Sequence, residues 1–211
     1  MKINYDIIKN IPNIEKYCLH YIFENLKYQH EPNTLWLEFG TYNGGTINYI
    51  SKFTEDKVYG FDSFEGLPEY WRGGFGKGKF DRNGQLPKVN SNVELIKGWF
   101  NETLEDFLSD HTGDVTFLHL DADLYSSTKY VLDVLTQHQK IGNGCIIVFD
   151  ELINFKGFDN ETSELRALSE WLSENPDMNY EWIGANGEVH IDNTEYPYKQ
   201  QQACLRILKV C

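Results

Sequence analysis

The sequence lacks several features that mark particular protein classes. No apolar run approaches the roughly 20 residues that a membrane-spanning helix requires. The first ten residues, MKINYDIIKN, lack the apolar region of a signal peptide. Basic residues are also scarce, with 19 Lys and Arg against 32 Asp and Glu and a net charge of −13. Because nucleic-acid binding needs a basic face, we expect a cytoplasmic protein with neither a nucleic-acid nor a membrane partner.

The cysteines also lack the spacing of a metal site. The chain has four, Cys18, Cys145, Cys204 and Cys211, and no CxxC pair. Cys145 and Cys204 lie in apolar, strand-like runs, where cysteine usually behaves as a small hydrophobic residue. We therefore predict no structural zinc site.

The 211 residues suffice for a single domain, residues 1–211, with a substantial core. Strand-like and helix-like patterns alternate with short connections, which is typical of βαβ units and a parallel sheet. The polar linker 186–202 begins with an Asn-Gly turn, so we expect the last two strands to pair antiparallel. These patterns predict an α/β fold with one doubly wound, mostly parallel seven-stranded sheet that is Rossmann-like and has a final antiparallel strand.

The boundaries of the predicted elements follow from the same patterns. Residues 1–30 are expected to form an N-terminal helical segment. The predicted strands are Leu35–Phe39, Val58–Asp62, Val93–Trp99, Val115–Asp121, Gly144–Glu151, Tyr180–Ala185 and Ala203–Val210. The predicted helices are Tyr5–Lys27 (broken near Pro12), Gly45–Phe53, Thr103–Ser109, Ser126–His138 and Glu161–Glu174.

The segment 34–63 has the order of a nucleotide-binding unit. One apolar run ends at Glu38 and a second ends at Asp62. Between them, Gly40, Gly44 and Gly45 form a turn that lets the backbone approach a ligand closely. A carboxylate at Asp62 is placed to accept both hydroxyls of a ribose. The GxxxG spacing differs from the GxGxxG of dinucleotide sites and favours S-adenosylmethionine.

Acidic residues follow two further predicted strands, as Asp121 and Asp123 in HLDADLYSST and as Asp150-Glu151 in IIVFDEL. Ligands bind at the carboxyl ends of parallel strands, so we expect these acids to converge. Crowded carboxylates repel one another, and oxygen ligands favour Mg²⁺, Mn²⁺ or Ca²⁺ over zinc. A divalent cation can lower the pKa of an acceptor hydroxyl while a carboxylate takes the proton. We predict Asp123 as base and metal ligand, with Asp150 and Glu151 completing the metal site.

Three further residues, His119, Trp99 and Phe100, each have two interpretations. His119 precedes Leu120-Asp121 in a strand that should be buried, so a core histidine is favoured over a catalytic one. Trp99 and Phe100 end the third predicted strand, where they either pack on an adenine ring or cap the core.

Residues 65–90 form a long loop that we predict to be a lid or substrate loop. Its part 70–90 has five glycines and five basic residues against one acid, a local charge of +4. A loop of this length in a compact domain is either a flexible surface segment or a functional cover. In the second case it would close over the ligands and exclude water.

Five motifs, in order, resemble the macrocin O-methyltransferase family over residues 35–174: LEFGTYNGGT, GFDSFEGLP, KGWFNETL, HLDADLYSST and IIVFDEL. The resemblance implies a class I S-adenosylmethionine-dependent methyltransferase fold and Mg²⁺-dependent transfer to a sugar hydroxyl. It also implies that Asp123 is base and metal ligand. Where the family typically has Asp-Asp, this chain has Asp150-Glu151, whose longer side chain can move the ion or weaken the site. The predicted donor-binding residues are Glu38, Gly40, Thr41, Tyr42, Gly44, Asp62, Ser63, Gly98, Trp99, Phe100 and Asp121.

The leading hypothesis is a divalent-metal-assisted O-methyltransferase for a sugar or other small polar acceptor. The basic loop favours an anionic acceptor, such as a nucleotide-sugar or phosphorylated sugar, and we expect a homodimer. One alternative is an NAD(P)-dependent oxidoreductase, although GxGxxG is missing and the Tyr-x-x-x-Lys spacing of Tyr125–Lys129 is interpreted as chance. Another is a non-catalytic module that binds S-adenosylmethionine, which the Asp150-Glu151 departure favours.

Overall fold

The computed structural model describes residues 3–158, 162–190 and 200–209. The strands are β1 Leu35–Phe39, β2 Val58–Asp62, β3 Val93–Lys97, β4 Val115–Leu120, β5 Ile141–Phe149, β6 Asn179–Ala185 and β7 Ala203–Lys209. The α-helices are α1 Cys18–His20, α2 Gly45–Ile50, α3 Phe100–Asp110, α4 Tyr125–Gln137 and α5 Glu164–Glu174. A π-helical turn, Tyr21–Asn25, continues α1, and 3₁₀ turns cover Tyr5–Ile7 and Ser51–Phe53.

The seven strands form one sheet in the order β3-β2-β1-β4-β5-β7-β6. The first five of these are parallel, and β7 runs antiparallel to both β5 and β6. The predicted fold class and the predicted antiparallel pairing of the last two strands are therefore confirmed. The order reverses between β1 and β4, and such a switch point is where open α/β sheets bind ligands.

Helices cover both faces of the sheet, and so β1 and β4 are buried along their whole length. Alternate residues of each strand enter different cores. Leu37 and Leu118 pack with α3, α4 and α5, while Trp36 and Phe117 pack with α1 and α2. Among the described residues, no helix combines the length and the apolar composition that crossing a membrane would need.

The predicted helix Tyr5–Lys27 is wrong over most of its length. Helical geometry is confined to Tyr5–Ile7 and to residues 18–25. Between them Asn13 forms an isolated bridge with Ala185 of β6, in which the Ala185 N–H donates to the Pro12 carbonyl at 2.8 Å and the Ile14 N–H donates to the Ala185 carbonyl at 2.9 Å. Pairing with a strand distant in sequence thus overrides the local helical pattern.

The other predicted boundaries differ by a few residues. Strand β3 ends at Lys97, since Gly98 has a φ of 145°. Helix α5 begins at Glu164 because the Ser163 hydroxyl caps it by accepting from the Arg166 N–H. The predicted ends at Glu161 and Val210 lie outside the described residues, as does Cys211.

The loop between β2 and β3 is held by backbone hydrogen bonds rather than by regular structure. The Gly78 N–H donates to the Leu67 carbonyl at 2.8 Å, and the Gly84 N–H donates to the Phe64 carbonyl at 2.8 Å. Trp71 is buried in the core that also contains α4 and α5. The loop is therefore anchored through Trp71 to the face of the sheet that carries α4 and α5.

The turn after β1 depends on Gly40. Its φ is +92°, and a methyl group at this position would lie 1.8 Å from the Asp121 carbonyl oxygen. Two hydrogen bonds fix the backbone there: the Gly40 N–H donates to the Phe61 carbonyl and the Asp121 N–H donates to the Phe39 carbonyl, both at 2.9 Å. The strand ends are therefore too close together to admit a side chain.

We expect Gly40→Ala to lower the free energy of unfolding by about 1–3 kcal/mol, because the substitution adds backbone strain and a steric clash. Urea denaturation followed by circular dichroism measures the change. Gly76→Ala is the matched control, since a methyl group there would meet no atom within 4 Å. Equal unfolding midpoints for the two variants would contradict the close approach of the strand ends.

Candidate functional site

A cavity of about 510 Å³ opens at the carboxyl ends of the central strands. The turn after β1, the loop after β2, the first residues of α3 and α4, and the acids after β4 and β5 form its wall. The predicted site residues that line it are Gly40, Tyr42, Asp62, Ser63, Trp99, Phe100, Asp121, Asp123, Asp150 and Glu151.

The other predicted donor residues lie behind this wall and shape it. Gly44 has a φ of +79° and precedes α2. Gly98 donates its N–H to the Asp62 carbonyl at 3.0 Å. Thr41 is buried and meets Asp62 through its backbone. Glu38 is wholly buried and does not reach the cavity.

The Asp62 side chain connects the turn after β1 to the loop after β2. Its Oδ2 accepts hydrogen bonds from the backbone N–H groups of Thr41 at 2.9 Å and Tyr42 at 2.7 Å. Its Oδ1 accepts from the Phe64 N–H at 2.6 Å. A carboxylate has about four acceptor positions, so Oδ1 retains capacity for one further donor. Asp62 thus fixes the glycine turn and can still accept from a ligand hydroxyl.

A buried histidine connects Glu38 to Asp150. His119 Nδ1 lies 2.9 Å from Glu38 Oε1, and His119 Nε2 lies 3.5 Å from Asp150 Oδ1. Burial alone would lower the pKa of His119, but the two carboxylates raise it to about 10. Burial raises the pKa of Glu38, and the hydrogen bond and charge of His119 partly offset this rise. The favoured interpretation of His119 as a core histidine agrees with its complete burial, and both of its nitrogens face carboxylates.

Asp121, Asp150 and Glu151 form an acidic cluster. Each offers a carboxylate oxygen, and these oxygens all lie within 4.8 Å of one another. Burial and the charge of Asp150 raise the pKa of both Asp121 and Glu151. Burial also disfavours the ionised form of Asp150, but His119 holds the pKa of this carboxyl below its usual range. Glu151 Oε2 is buried and has no hydrogen-bond partner among the described residues. This donor set fits a hard divalent cation.

The acidic cluster joins Asp121 to the predicted metal ligands Asp150 and Glu151, while Asp123, also predicted as a metal ligand, stays a prediction in that role. Asp123 has a φ of +60°, so the chain leaves strand geometry after Asp121 and strand alternation no longer places the second acid. Asp123 is 6% exposed and lines the cavity. Burial raises the pKa of Asp123 to about 7, opposed by the charge of Arg72 and reinforced by that of Asp150.

Residues 37–152 match a family model described as a methyltransferase domain, which is more than half of the chain. The chain belongs to this methyltransferase family. A comparison with curated proteins finds no match. This match agrees with the methyltransferase hypothesis and not with the oxidoreductase alternative.

Solved structures of methyltransferases share the fold. The calicheamicin methyltransferase CalS11 has 20% identity and a TM-score of 0.53, over 82% of this chain and 72% of its own. The O-methyltransferase NovP has 21% identity and a TM-score of 0.52, over 91% and 77%. An O-methyltransferase from Bacillus cereus, in complex with SAH, has 11% identity and a TM-score of 0.55, over 90% and 79%. At these identities the likeness establishes the class I methyltransferase fold.

Sequence reasoning missed Arg72, Glu164 and Gln202 in the methyltransferase site. The Arg72 guanidinium lies 3.8 Å from the centroid of the Trp71 ring and opposes the charge of Asp123. Glu164 Oε2 accepts from the Glu151 N–H at 3.2 Å, and Gln202 donates to Asp150. The basic loop was a signal for Arg72. Glu164 lies in a helix and Gln202 in a run of glutamines, and no sequence pattern marks either residue as part of a functional site.

We expect His119→Leu to lower the free energy of unfolding of this methyltransferase by about 3–5 kcal/mol, because it leaves the Glu38 carboxylate buried without its partner. The double variant His119→Leu/Glu38→Leu should recover much of the loss, since no uncompensated charge remains between β1 and β4. Urea denaturation measures both. His138→Leu, at an exposed histidine, is the control. A double variant as unstable as the single one would contradict the interpretation.

Proposed function

We propose that the chain is an S-adenosylmethionine-dependent O-methyltransferase, assisted by a divalent cation, whose acceptor is a hydroxyl of a sugar or a similar small polar molecule. The observation that carries the proposal is that one cavity joins the glycine turn and Asp62 to the acidic cluster and Asp123. The names printed for the neighbours, a calicheamicin methyltransferase and the O-methyltransferase NovP, support the same reaction class.

The donor would lie against the turn after β1. Gly40 has no side chain to block close approach there, and the free acceptor capacity of Asp62 suits a ribose hydroxyl. Trp99 and Phe100 add aromatic surface to the same cavity, which suits an adenine ring. When bound, S-adenosylmethionine supplies a methyl group activated by its sulfonium.

Asp121, Asp150 and Glu151 would hold the cation, with the unpartnered Oε2 of Glu151 as one candidate ligand atom. When bound, Mg²⁺ or Mn²⁺ lowers the pKa of an acceptor hydroxyl and orients its oxygen. Asp123 lines the same cavity and would accept the proton of the acceptor hydroxyl, whose oxygen would take the methyl group as the methyl–sulfur bond breaks and S-adenosylhomocysteine leaves. The walls align the reacting groups and exclude water.

The loop between β2 and β3 supports an anionic acceptor, such as a phosphorylated sugar or a nucleotide-sugar. Phe80 and Tyr42 line the cavity and meet edge to face, with ring centroids 5.4 Å apart. Lys79 Nζ lies 5.7 Å from the Phe80 ring, and the Arg82 guanidinium lies 5.9 Å from the Tyr42 ring. Positive charge therefore borders the cavity, where it would attract a phosphate group.

Three further proposals concern the whole protein. The motifs support membership of the macrocin O-methyltransferase family, within the broader family already established. Residues 1–211 are proposed to act as a single methyltransferase domain with residues 65–90 as its lid. A homodimer in the cytoplasm is proposed on the same resemblance and on the composition of the chain.

Replacing Asp123 with Asn tests the reaction. We expect binding of S-adenosylhomocysteine, measured by isothermal titration calorimetry, to change less than about twofold, because Asp123 is not assigned to the donor. Turnover on an acceptor panel that begins with nucleotide-sugars should fall by about 10²–10⁴-fold, because the proton acceptor is lost. Asp110→Asn, at an exposed position at the end of α3, is the matched control.

The outcomes separate the candidate functions. Wild-type protein that fails to bind S-adenosylhomocysteine would overturn the methyltransferase proposal. Binding without turnover on any acceptor would favour the non-catalytic binding module. Full turnover by the Asp123→Asn variant would show that Asp123 takes no part in the reaction, and the assignment of the donor site would stand.

The triple variant Lys77→Gln/Lys79→Gln/Arg82→Gln tests the acceptor class. We expect the KM for an anionic acceptor to rise by about tenfold or more, equivalent to about 1.4 kcal/mol, with little change in the donor KM. Steady-state kinetics at varied acceptor and donor concentrations measure both. The triple variant Lys27→Gln/Lys52→Gln/Lys57→Gln removes the same charge from exposed lysines near the amino ends of β1 and β2. Equal effects of the two variants would exclude a local role of the loop.

A further inference from the structure

Gln202, immediately before β7, is 8% exposed and joins three separate parts of the protein. Its side-chain Nε2 donates to Asp150 Oδ1. Its side-chain Oε1 accepts from the backbone N–H of Cys18, the first residue of α1, at 2.9 Å. Its backbone N–H donates to Asn186 Oδ1 at 3.1 Å. The side chain is therefore held at both ends of its amide group.

These partners leave the amide of Gln202 a single orientation. A backbone N–H can only donate, so the group that faces Cys18 must be the carbonyl oxygen. The NH₂ group must then face Asp150, whose ionised carboxylate can only accept. Reversing the amide would place two donors together at Cys18 and two acceptors together at Asp150.

The contact with Gln202 restricts the carboxylate of Asp150. Oδ1 accepts a hydrogen bond from Gln202 and lies 3.5 Å from His119 Nε2, an ion-pair contact without a hydrogen bond. Rotation of the carboxylate would break both contacts. The same residue supplies one of the three carboxylate oxygens of the acidic cluster with Asp121 and Glu151.

We propose that Gln202 is a positioning residue that fixes Asp150 as a ligand for the divalent cation. This inference rests on the proposed metal site. Partners that orient a metal ligand commonly change metal affinity by 10–100-fold when they are removed. Through the same amide, the first residue of α1 is connected to the acidic cluster, although the two are far apart in sequence.

The test is Mn²⁺ binding to the full chain in the presence of S-adenosylhomocysteine, measured by calorimetry and by electron paramagnetic resonance. We expect Gln202→Met to weaken Mn²⁺ binding by about 10–100-fold, because a side chain of similar length can no longer donate to Asp150. The Kd of S-adenosylhomocysteine should change less than about twofold. Gln137→Met is the matched control. Gln137 is exposed and is the last residue of α4, about 18 Å along the helix from its first residue, Tyr125.

A purely structural role predicts a different result. Gln202→Met would then lower the melting temperature and leave the Mn²⁺ affinity of the folded protein unchanged, which would overturn the proposal. If Gln202→Met does not fold, Gln202→Asn decides by the same criterion, since it keeps the amide but is too short to reach both partners. Wild-type protein that binds S-adenosylhomocysteine but not Mn²⁺ would overturn the metal site, and the role of Gln202 with it, while the donor site stands.

Discussion

The site depends on the contact of the buried His119 imidazolium with two carboxylates. Parallel strands bring Glu38 of β1 and His119 of β4 side by side, and Asp150 follows β5 next to them. Without a cation at this point, two acids would face each other in the interior at a large cost in solvation. The imidazolium makes their proximity possible, and it holds Asp150 ionised next to acids whose pKa values are raised. Carboxylates with pKa values shifted in opposite directions thus lie side by side at the end of the sheet.

Four of the ten non-glycine residues that have positive φ in the described part of the chain lie at or next to the same cavity. Tyr42, Phe64, Phe80 and Asp123 all have positive φ, a conformation that residues other than glycine rarely adopt. Three of them line the cavity, and the backbone N–H of Phe64 donates to Asp62. Strain of this kind persists only where surrounding contacts enforce it, and it clusters at sites that must be preorganised. The three hydrogen bonds that Asp62 accepts are such contacts, because they hold the turn after β1 and the start of the loop after β2 in one arrangement.

The sheet could be predicted from the sequence because its signals are local. Strands β1 and β2 begin and end where the apolar runs do, and their terminal acids indicated which edge carries the site. The prediction of an N-terminal helix failed, because part of the segment with the helical pattern pairs with β6 instead. The positive φ of Asp123 could not be read from the sequence pattern, which shows only that this acid follows β4. Gln202 could not be found at all. Only the fold reveals which of the three consecutive glutamines faces an acid from β5.

Those glutamines also contact both the loop after β2 and the acidic cluster. Gln201 accepts from the Arg72 guanidinium at 3.2 Å, and Gln202 donates to Asp150. The Gln201 carbonyl accepts from the Leu152 N–H at 2.9 Å, just after the acidic pair. One short segment therefore contacts the loop over the cavity, the proposed cation ligand and the chain that follows it. Arg72 reaches this segment while packed against Trp71, so movement of the loop would alter contacts one residue from Gln202. The loop and the acidic cluster are thus held by adjacent residues of one segment, Gln201 and Gln202.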